Sequence, residues 1–246
     1  MFNDLRTGTY GEALDKIYDD LEGVAEVTSL PDDAPHRNVD KIVLAAGTQH
    51  AERVKTAIVC PPCIYGPGRG PGNQRSHQVP ELARNTLVKG HGLQVGAGKD
   101  FWGIVHVQDL SELYLQLVKE AAAGGSTADW QGKPPLWGAE GYYFCESGEV
   151  AWGEVARWVA AEAKKHGWIK TDEVKSISKE DADQCTPWGS ALWGCNSRGR
   201  ARRAREVLKW TPKQPGLKEE IAGTIEYEAK KLELPPGHAK VAAGEA

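Results

Sequence analysis

The stretch Val59-Cys60-Pro61-Pro62-Cys63-Ile64-Tyr65-Gly66-Pro67-Gly68 decides how the rest of this chain is read. An apolar run from Ala57 to Val59 enters a rigid proline corner and leaves through Tyr-Gly-Pro-Gly, so a buried strand is expected to end abruptly at a loop with exposed backbone. Such a loop can line a ligand site. Downstream, Leu93 to Val95 and Phe101 to Val107 read as short strands around the turn Gly96-Ala97-Gly98.

Helical periodicity surrounds these strands. Leu14, Ile17, Tyr18 and Leu21 predict an amphipathic helix over 11–22, and Val39, Ile42, Val43 and Ala46 a second over 39–48. Pro80 to Lys89 reads as a third, stopped by Gly90. Leu110, Leu113, Tyr114, Leu117, Val118 and Ala121 give the strongest apolar face of all, with Asp109 and Ser111 where an N-cap belongs. After a Gly/Pro/Trp-rich loop over 124–141, Tyr142 to Cys145 predicts a strand; Val155, Trp158, Val159 and Ala163 predict a helix stopped at Gly167. A last helix is expected from Leu217 to about Leu232, and Pro235 to Ala246 as a frayed tail. Helices alternating with short buried strands predict an α/β fold.

The chain has 246 residues, 40% of them hydrophobic, enough for one sizeable domain or a domain with an appended lobe. Lys and Arg number 30 against 34 Asp and Glu, which argues against a broad electrostatic footprint for nucleic acid or an anionic membrane. No apolar run approaches the ~20 residues of a membrane-spanning helix, and Met1 to Arg6 opens no signal core, so a cytoplasmic location is expected. Five cysteines without regular spacing do not form a secreted disulfide framework. Trp130, Trp137, Trp188 and Trp193, in polar or Gly/Pro-rich stretches, read as caps on the core under long loops.

Two motifs invite chemistry. Cys60-x-x-Cys63 has the spacing of a redox dithiol or half a zinc site, yet His77, His91 and His106 are scattered, so no metal is expected and the cysteines read as half-buried fillers. The run Gly66 to Arg75 lacks the Lys-Ser/Thr ending of a nucleotide-binding loop, and its prolines remove donors. It suits a substrate lid, with Tyr65, Arg69, Asn73, Gln74 and Arg75 as candidate substrate contacts, or a plain surface loop. The dense run Arg198 to Arg205 reads mainly as a solvated face.

From about Pro35 to Lys230 the order of motifs resembles the extended short-chain dehydrogenase/reductases, the NAD(P)-dependent epimerase/dehydratase family. The resemblance runs from a lysine-bearing helix through Pro-x-x-x-Tyr-Gly-Pro, His-Val-x-Asp and Asn-Ser-Arg-x-Arg to Leu-x-Trp-x-Pro. It implies a partial Rossmann-like parallel sheet with its N-terminal strands missing. The first 55 residues hold no Gly-rich phosphate turn after an apolar strand, so the family's N-terminal half is expected to be absent. The expected divisions are 1–60 as the residual Rossmann-like part, 61–234 as remaining strands and substrate-binding lobe, and 235–246 as tail.

In the family a Tyr-x-x-x-Lys pair carries the chemistry. Lys41 matches the lysine and would hold the nicotinamide ribose of NAD or NADP, with Pro61, Pro62 and Cys63 bordering the ring. Arg37 stands at the tyrosine position and cannot act as a general acid or base, because a guanidinium keeps its proton at working pH. Its neighbour His36, which titrates near neutrality, is the candidate replacement, with a helix-start cap as the plainer reading. Arg198 matches a position that meets the diphosphate of nucleotide-linked substrates. In the same comparison His106 and Asp109 are structural, with Asp109 capping the following helix.

The expected function is an epimerase/dehydratase-like oxidoreductase acting on a small carbonyl compound or sugar nucleotide, truncated or impaired in cofactor binding. The alternative is a cofactor-independent isomerase or lyase, or a non-catalytic small-molecule-binding protein. A homodimer covering an exposed sheet edge would accompany either.

Overall fold

A computed structural model describes residues 8–124 and 134–235. In chain order they form β1 (Tyr18–Asp19), α1 (Val24–Thr28), α2 (Arg37–Gln49), β2 (Ile58–Cys60), β3 (Cys63–Tyr65), α3 (Gln78–Lys89), β4 (Gly92–Val95), β5 (Phe101–His106) and α4 (Val107–Ala122). A single 3-10 turn, Gly138–Glu140, precedes β6 (Tyr142–Phe144), β7 (Gly148–Ala151), α5 (Trp152–Lys165), β8 (Val174–Ile177), α6 (Lys179–Cys185), α7 (Gly189–Gly194), β9 (Gly199–Arg200), α8 (Arg202–Glu206) and α9 (Leu217–Lys231). Trp130 and the tail beyond Pro235 lie outside the described residues.

The expected α/β class and parallel pairing are present. β2 pairs with β6, β3 with β5, β4 with β8 and β1 with β9, all parallel, while β7 joins β5 antiparallel. The proline corner acts differently from its sequence reading. Neither Pro61 nor Pro62 can donate to a ladder, so the strand breaks for two residues and resumes at Cys63 with a new neighbour. The loop therefore starts at Gly66, whose φ of 80° turns the chain out of β3. A Cβ there would sit 2.2 Å from His106 Nε2, so only glycine fits both the turn and the contact.

Strand β5 separates two apolar layers, because residues three apart on a strand face opposite ways. Trp102 joins Trp152, Trp193, Leu82, Val159 and Ile225 in the layer beneath α3, α5 and α9. Val105 joins Leu113, Leu117, Tyr143 and Trp210 in the layer beneath α4 and α8. As expected, Trp137 and Trp193 sit on the core, but Trp188 is 72% exposed.

The helix expected over 11–22 does not form. The chain there runs irregularly before β1 and is bonded to the segment 194–198: Gly11 N–H donates to Gly194 O, Asn196 Nδ2 to Glu12 O, and Arg198 Nη1 to Leu14 O. Tertiary partners for the backbone override a helical period that carries little free energy alone. The arginine run is likewise not a solvated face. Arg203 is wholly buried, donating to the carbonyls of Asp20 and Pro135, with Asp20 Oδ1 accepting from its backbone N–H. Asp109 does not cap α4. That role falls to His106, whose Nδ1 accepts from Gln108 N–H at 3.1 Å, while the buried Asp109 carboxylate accepts from the backbone of Lys213 and Gln214.

Candidate functional site

Parallel strands β2 and β6 end side by side at Cys60 and Phe144. Ligands in open α/β sheets sit beyond such carboxyl ends. Here the ends open on a hollow of about 20 Å³, walled by Cys60, Pro61, Pro62, Glu146, Ser197 and Arg198 among others. Pro61 and Pro62 line this hollow. Cys63 does not: it is 1% exposed in the core, and burial pushes its thiol up to about 12.

Arg198 reaches the hollow with its donors already used. Nε and Nη2 form a fork on the Glu149 carboxylate at 2.8 and 2.9 Å, and Nη1 donates to Leu14 O at 2.8 Å. Burial pulls the Glu149 carboxyl up, but hydrogen bonds from Arg198 and Arg200 outweigh it and leave the group below its ordinary range. Glu146, on the opposite wall, is raised by burial although Arg205 Nη1 donates to it at 2.8 Å and the Ala201 N–H donates as well.

The helix residues chosen from sequence divide. Lys41 is half exposed and its Nζ lies 2.9 and 3.0 Å from the two Asp32 carboxylate oxygens. His36 occupies the N-cap of α2 in left-handed conformation, φ 64°, without a side-chain capping bond. Asp40 feels the charge of Arg37 and receives the Tyr142 hydroxyl at 3.5 Å, and Tyr142 in turn meets Cys60. Burial raises the Asp40 carboxyl, with Arg37 opposing, and raises the Tyr142 hydroxyl far above its ordinary value. Of the three residues, Arg37 and His36 both act on Asp40 through charge alone, while Lys41 is paired with Asp32.

A second and larger cavity, about 280 Å³, lies where the loop after β3 faces α9. Gln74 and Arg75, two of the candidate substrate contacts, line it. Asn73 instead braces the loop, donating through Nδ2 to Arg75 O and accepting from Arg75 N–H, and Arg69 is exposed outside the cavity lining. Tyr65 is buried, its hydroxyl donating to Pro215 O at 2.9 Å and its ring edge-on to His106, so it anchors the approach to α9. The opposite wall consists of Glu220, Gly223, Thr224, Tyr227 and Glu228, which the sequence reading missed. A signal was there: Glu220, Thr224 and Glu228 recur every four residues beside the apolar Leu217, Ile221 and Ile225, a polar stripe flanking the buried face of an amphipathic helix.

The model of the NAD dependent epimerase/dehydratase family matches residues 15–131. An oxidase from Acremonium sp., ucsJ, is 39% identical over 234 residues, 95% of this chain and 67% of that protein. The chain belongs to the NAD-dependent epimerase/dehydratase family. Its fold is similar to UDP-glucose 4-epimerase of Thermotoga maritima with UDP-glucose (TM-score 0.54, 16% identity, 92% of this chain and 62% of that one). It is also similar to dTDP-glucose 4,6-dehydratase of Bacillus anthracis with NAD (TM-score 0.57, 14% identity, 92% and 60%). The chain spans less than two thirds of the length of either structure. Among the described residues no helix is long and apolar enough to cross a membrane.

Proposed function

We propose that this chain forms the substrate-facing part of a nicotinamide-dependent oxidoreductase acting on a small carbonyl compound. The observation that carries this reading is the Cys60-Pro61-Pro62 corner at the paired carboxyl ends of β2 and β6, in a chain of the epimerase/dehydratase family. The 39% identical relative bears the name oxidase, and solved neighbours hold NAD or NADPH. The residue types that would hold the nicotinamide end are present, and the hollow of about 20 Å³ would have to widen to admit the ring. Pro61 and Pro62 would face the ring, and Lys41 would hold the ribose after leaving Asp32, an exposed pair worth at most about 1 kcal/mol. Bound there, the cofactor would supply hydride chemistry. A sugar-nucleotide substrate has less support, because the Arg198 fork already grips Glu149.

A second reading, a cofactor-independent isomerase or a non-catalytic binding protein, is favoured by two observations: no tyrosine stands at Arg37, and the Tyr65 hydroxyl is committed to Pro215. Calorimetric titration with NADH and NADPH separates the two. Micromolar binding that disappears in Lys41→Ala, with an unchanged melting temperature, is expected from the oxidoreductase reading. A stably folded chain that binds neither nucleotide overturns it in favour of the second.

A further inference from the structure

The hollow at the carboxyl ends of β2 and β6 carries on its wall a proton-bearing group that the nicotinamide reading leaves unused. Pro61, Pro62, Phe144 and Gly199 exchange no proton there, and the Arg198 guanidinium keeps its own. The Cys60 thiol is engaged with the Tyr142 hydroxyl, and a serine hydroxyl such as that of Ser197 does not ionise near neutral pH. Glu146 remains. Its side chain is 7% exposed, and it lines the hollow.

The fold sets this carboxyl beside the proline corner. Glu146 follows the end of β6 by two residues, and Gly103 of β5 lies beneath it. A Cβ on Gly103 would stand 3.2 Å from the Cβ of both Glu146 and Pro62, so the glycine lets the two side chains share one wall. Arg205 Nη1 donates to Glu146 Oε1 and the Ala201 N–H to Oε2. A carboxylate offers about four acceptor positions, so each oxygen keeps one free.

The charges around it come from several elements. Arg205 of α8 is attractive, while the buried carboxyl of Asp20, after β1, is repulsive. Cys145, its chain neighbour, is held neutral by burial, and Arg198 across the hollow is offset by Glu149. Burial outweighs Arg205 and raises the Glu146 carboxyl from its ordinary value. A carboxyl shifted in that direction comes closer to exchanging its proton at working pH, as general acid/base catalysis requires.

We propose that Glu146 is the general acid/base of this hollow, a role for which α2 supplies no tyrosine. Its ionised carboxylate takes the hydroxyl proton of a bound alcohol as the carbon–oxygen bond becomes a carbonyl. The carbon-bound hydrogen leaves with its electron pair as the hydride that an oxidised nicotinamide accepts, so the alcohol is oxidised and the ring reduced. In the reverse direction the protonated carboxyl returns the proton to the carbonyl oxygen. This assignment rests on the nicotinamide reading of the hollow.

Calorimetric titration of the full chain with NAD+ and with NADH, in buffers of different ionisation enthalpy, counts the protons that binding releases. The oxidised ring is positive and the reduced ring neutral, so only NAD+ drives a carboxyl beside it to ionise. Between about pH 5 and about pH 7, NAD+ should release roughly 0.2 to 1 proton and NADH much less. Glu146→Gln should abolish the difference, which a purely structural role would not do. Equal release by the two nucleotides, or a difference that survives in Glu146→Gln, overturns the assignment and leaves the nicotinamide reading standing. Binding of neither nucleotide removes that reading and this assignment with it. Should Glu146→Gln fail to fold, Glu146→Asp is expected to keep the difference with its pH midpoint shifted, and an unshifted midpoint overturns the assignment.

Discussion

Arg203, with no part of its side chain exposed, meets Asp20 twice across 183 positions of sequence: its backbone N–H donates to Oδ1 at 2.8 Å and its Nε–H to the Asp20 carbonyl oxygen at 3.0 Å. The other carboxylate oxygen of Asp20 accepts the Phe144 N–H at 2.7 Å, and Arg203 Nη1 donates to Pro135 O at 2.6 Å. The pair thus fastens the segment after β1 to α8 and to the end of β6. Replacing Arg203 with Leu leaves the Asp20 and Pro135 carbonyls without their donors and removes the positive charge beside the Asp20 carboxyl, whose bonds from two backbone N–H groups survive, and should cost about 3–5 kcal/mol. Arg203→Lys should not restore the loss, because an ammonium cannot reproduce the planar fork. Urea unfolding midpoints measure both, and a loss under about 1 kcal/mol in Arg203→Leu would contradict the role given to this pair.

Burial lifts the Asp20 carboxyl to about 7, although hydrogen bonds from Arg203 and Phe144 pull the other way. Between its ordinary value near 3.8 and about 7, the folded state therefore holds more protons at this site than the unfolded state does. Stability contributed by Asp20 is then greatest near pH 4 and declines as pH rises to about 7, by a few kcal/mol at most at about 1.4 kcal/mol per pH unit. Comparing the parent with Asp20→Asn at several pH values isolates the effect. The stability difference should shift steadily against the parent over that window, and a flat difference would refute it.

The Asp109 carboxylate accepts from the backbones of Lys213 and Gln214, while its own carbonyl receives the Trp210 indole N–H at 2.9 Å. Asp109→Ala should free both amides of the segment leading into α9 and cost about 2–4 kcal/mol. Hydrogen exchange should accelerate at Lys213 and Gln214 well before it does at Val155 in α5. Uniform acceleration throughout the chain would mean that Asp109 does no local work.

Thiol labelling of the native protein should modify Cys60 and Cys185, which are partly exposed, and spare Cys63, Cys145 and Cys195, which are buried. Burial holds the Cys63 and Cys145 thiols above their ordinary range, so little thiolate is available there. Two of the five cysteines should react before denaturant is added and all five afterwards. Rapid loss of Cys63 together with Cys60 would revive a redox role for the Cys-x-x-Cys spacing.

Much of this architecture was legible in the chain because it depends on neighbours in sequence. The apolar period from Leu110 to Leu117, the stop at Gly90 and the run Tyr142 to Phe144 each predicted an element that the fold contains. The Pro61-Pro62 corner was legible as a break in the strand. What could not be read were the partners. The stretch 11–22 has a helical period but spends its backbone on residues 194–198. Asp109 has the spacing of a cap but serves Lys213 and Gln214 instead.

Local pattern by itself settled which segments are apolar, where they stop, and that strands alternate with helices, because backbone sterics and burial of one face act over a few residues. Tertiary structure alone decided that Arg203 is buried rather than solvated, that Arg198 spends its fork on Glu149, and that Glu228 is buried against Arg75. The reason is that a charged side chain inside a protein takes its state from whichever groups the fold brings within a few ångströms, and those groups lie some 50 to 180 positions away in the chain.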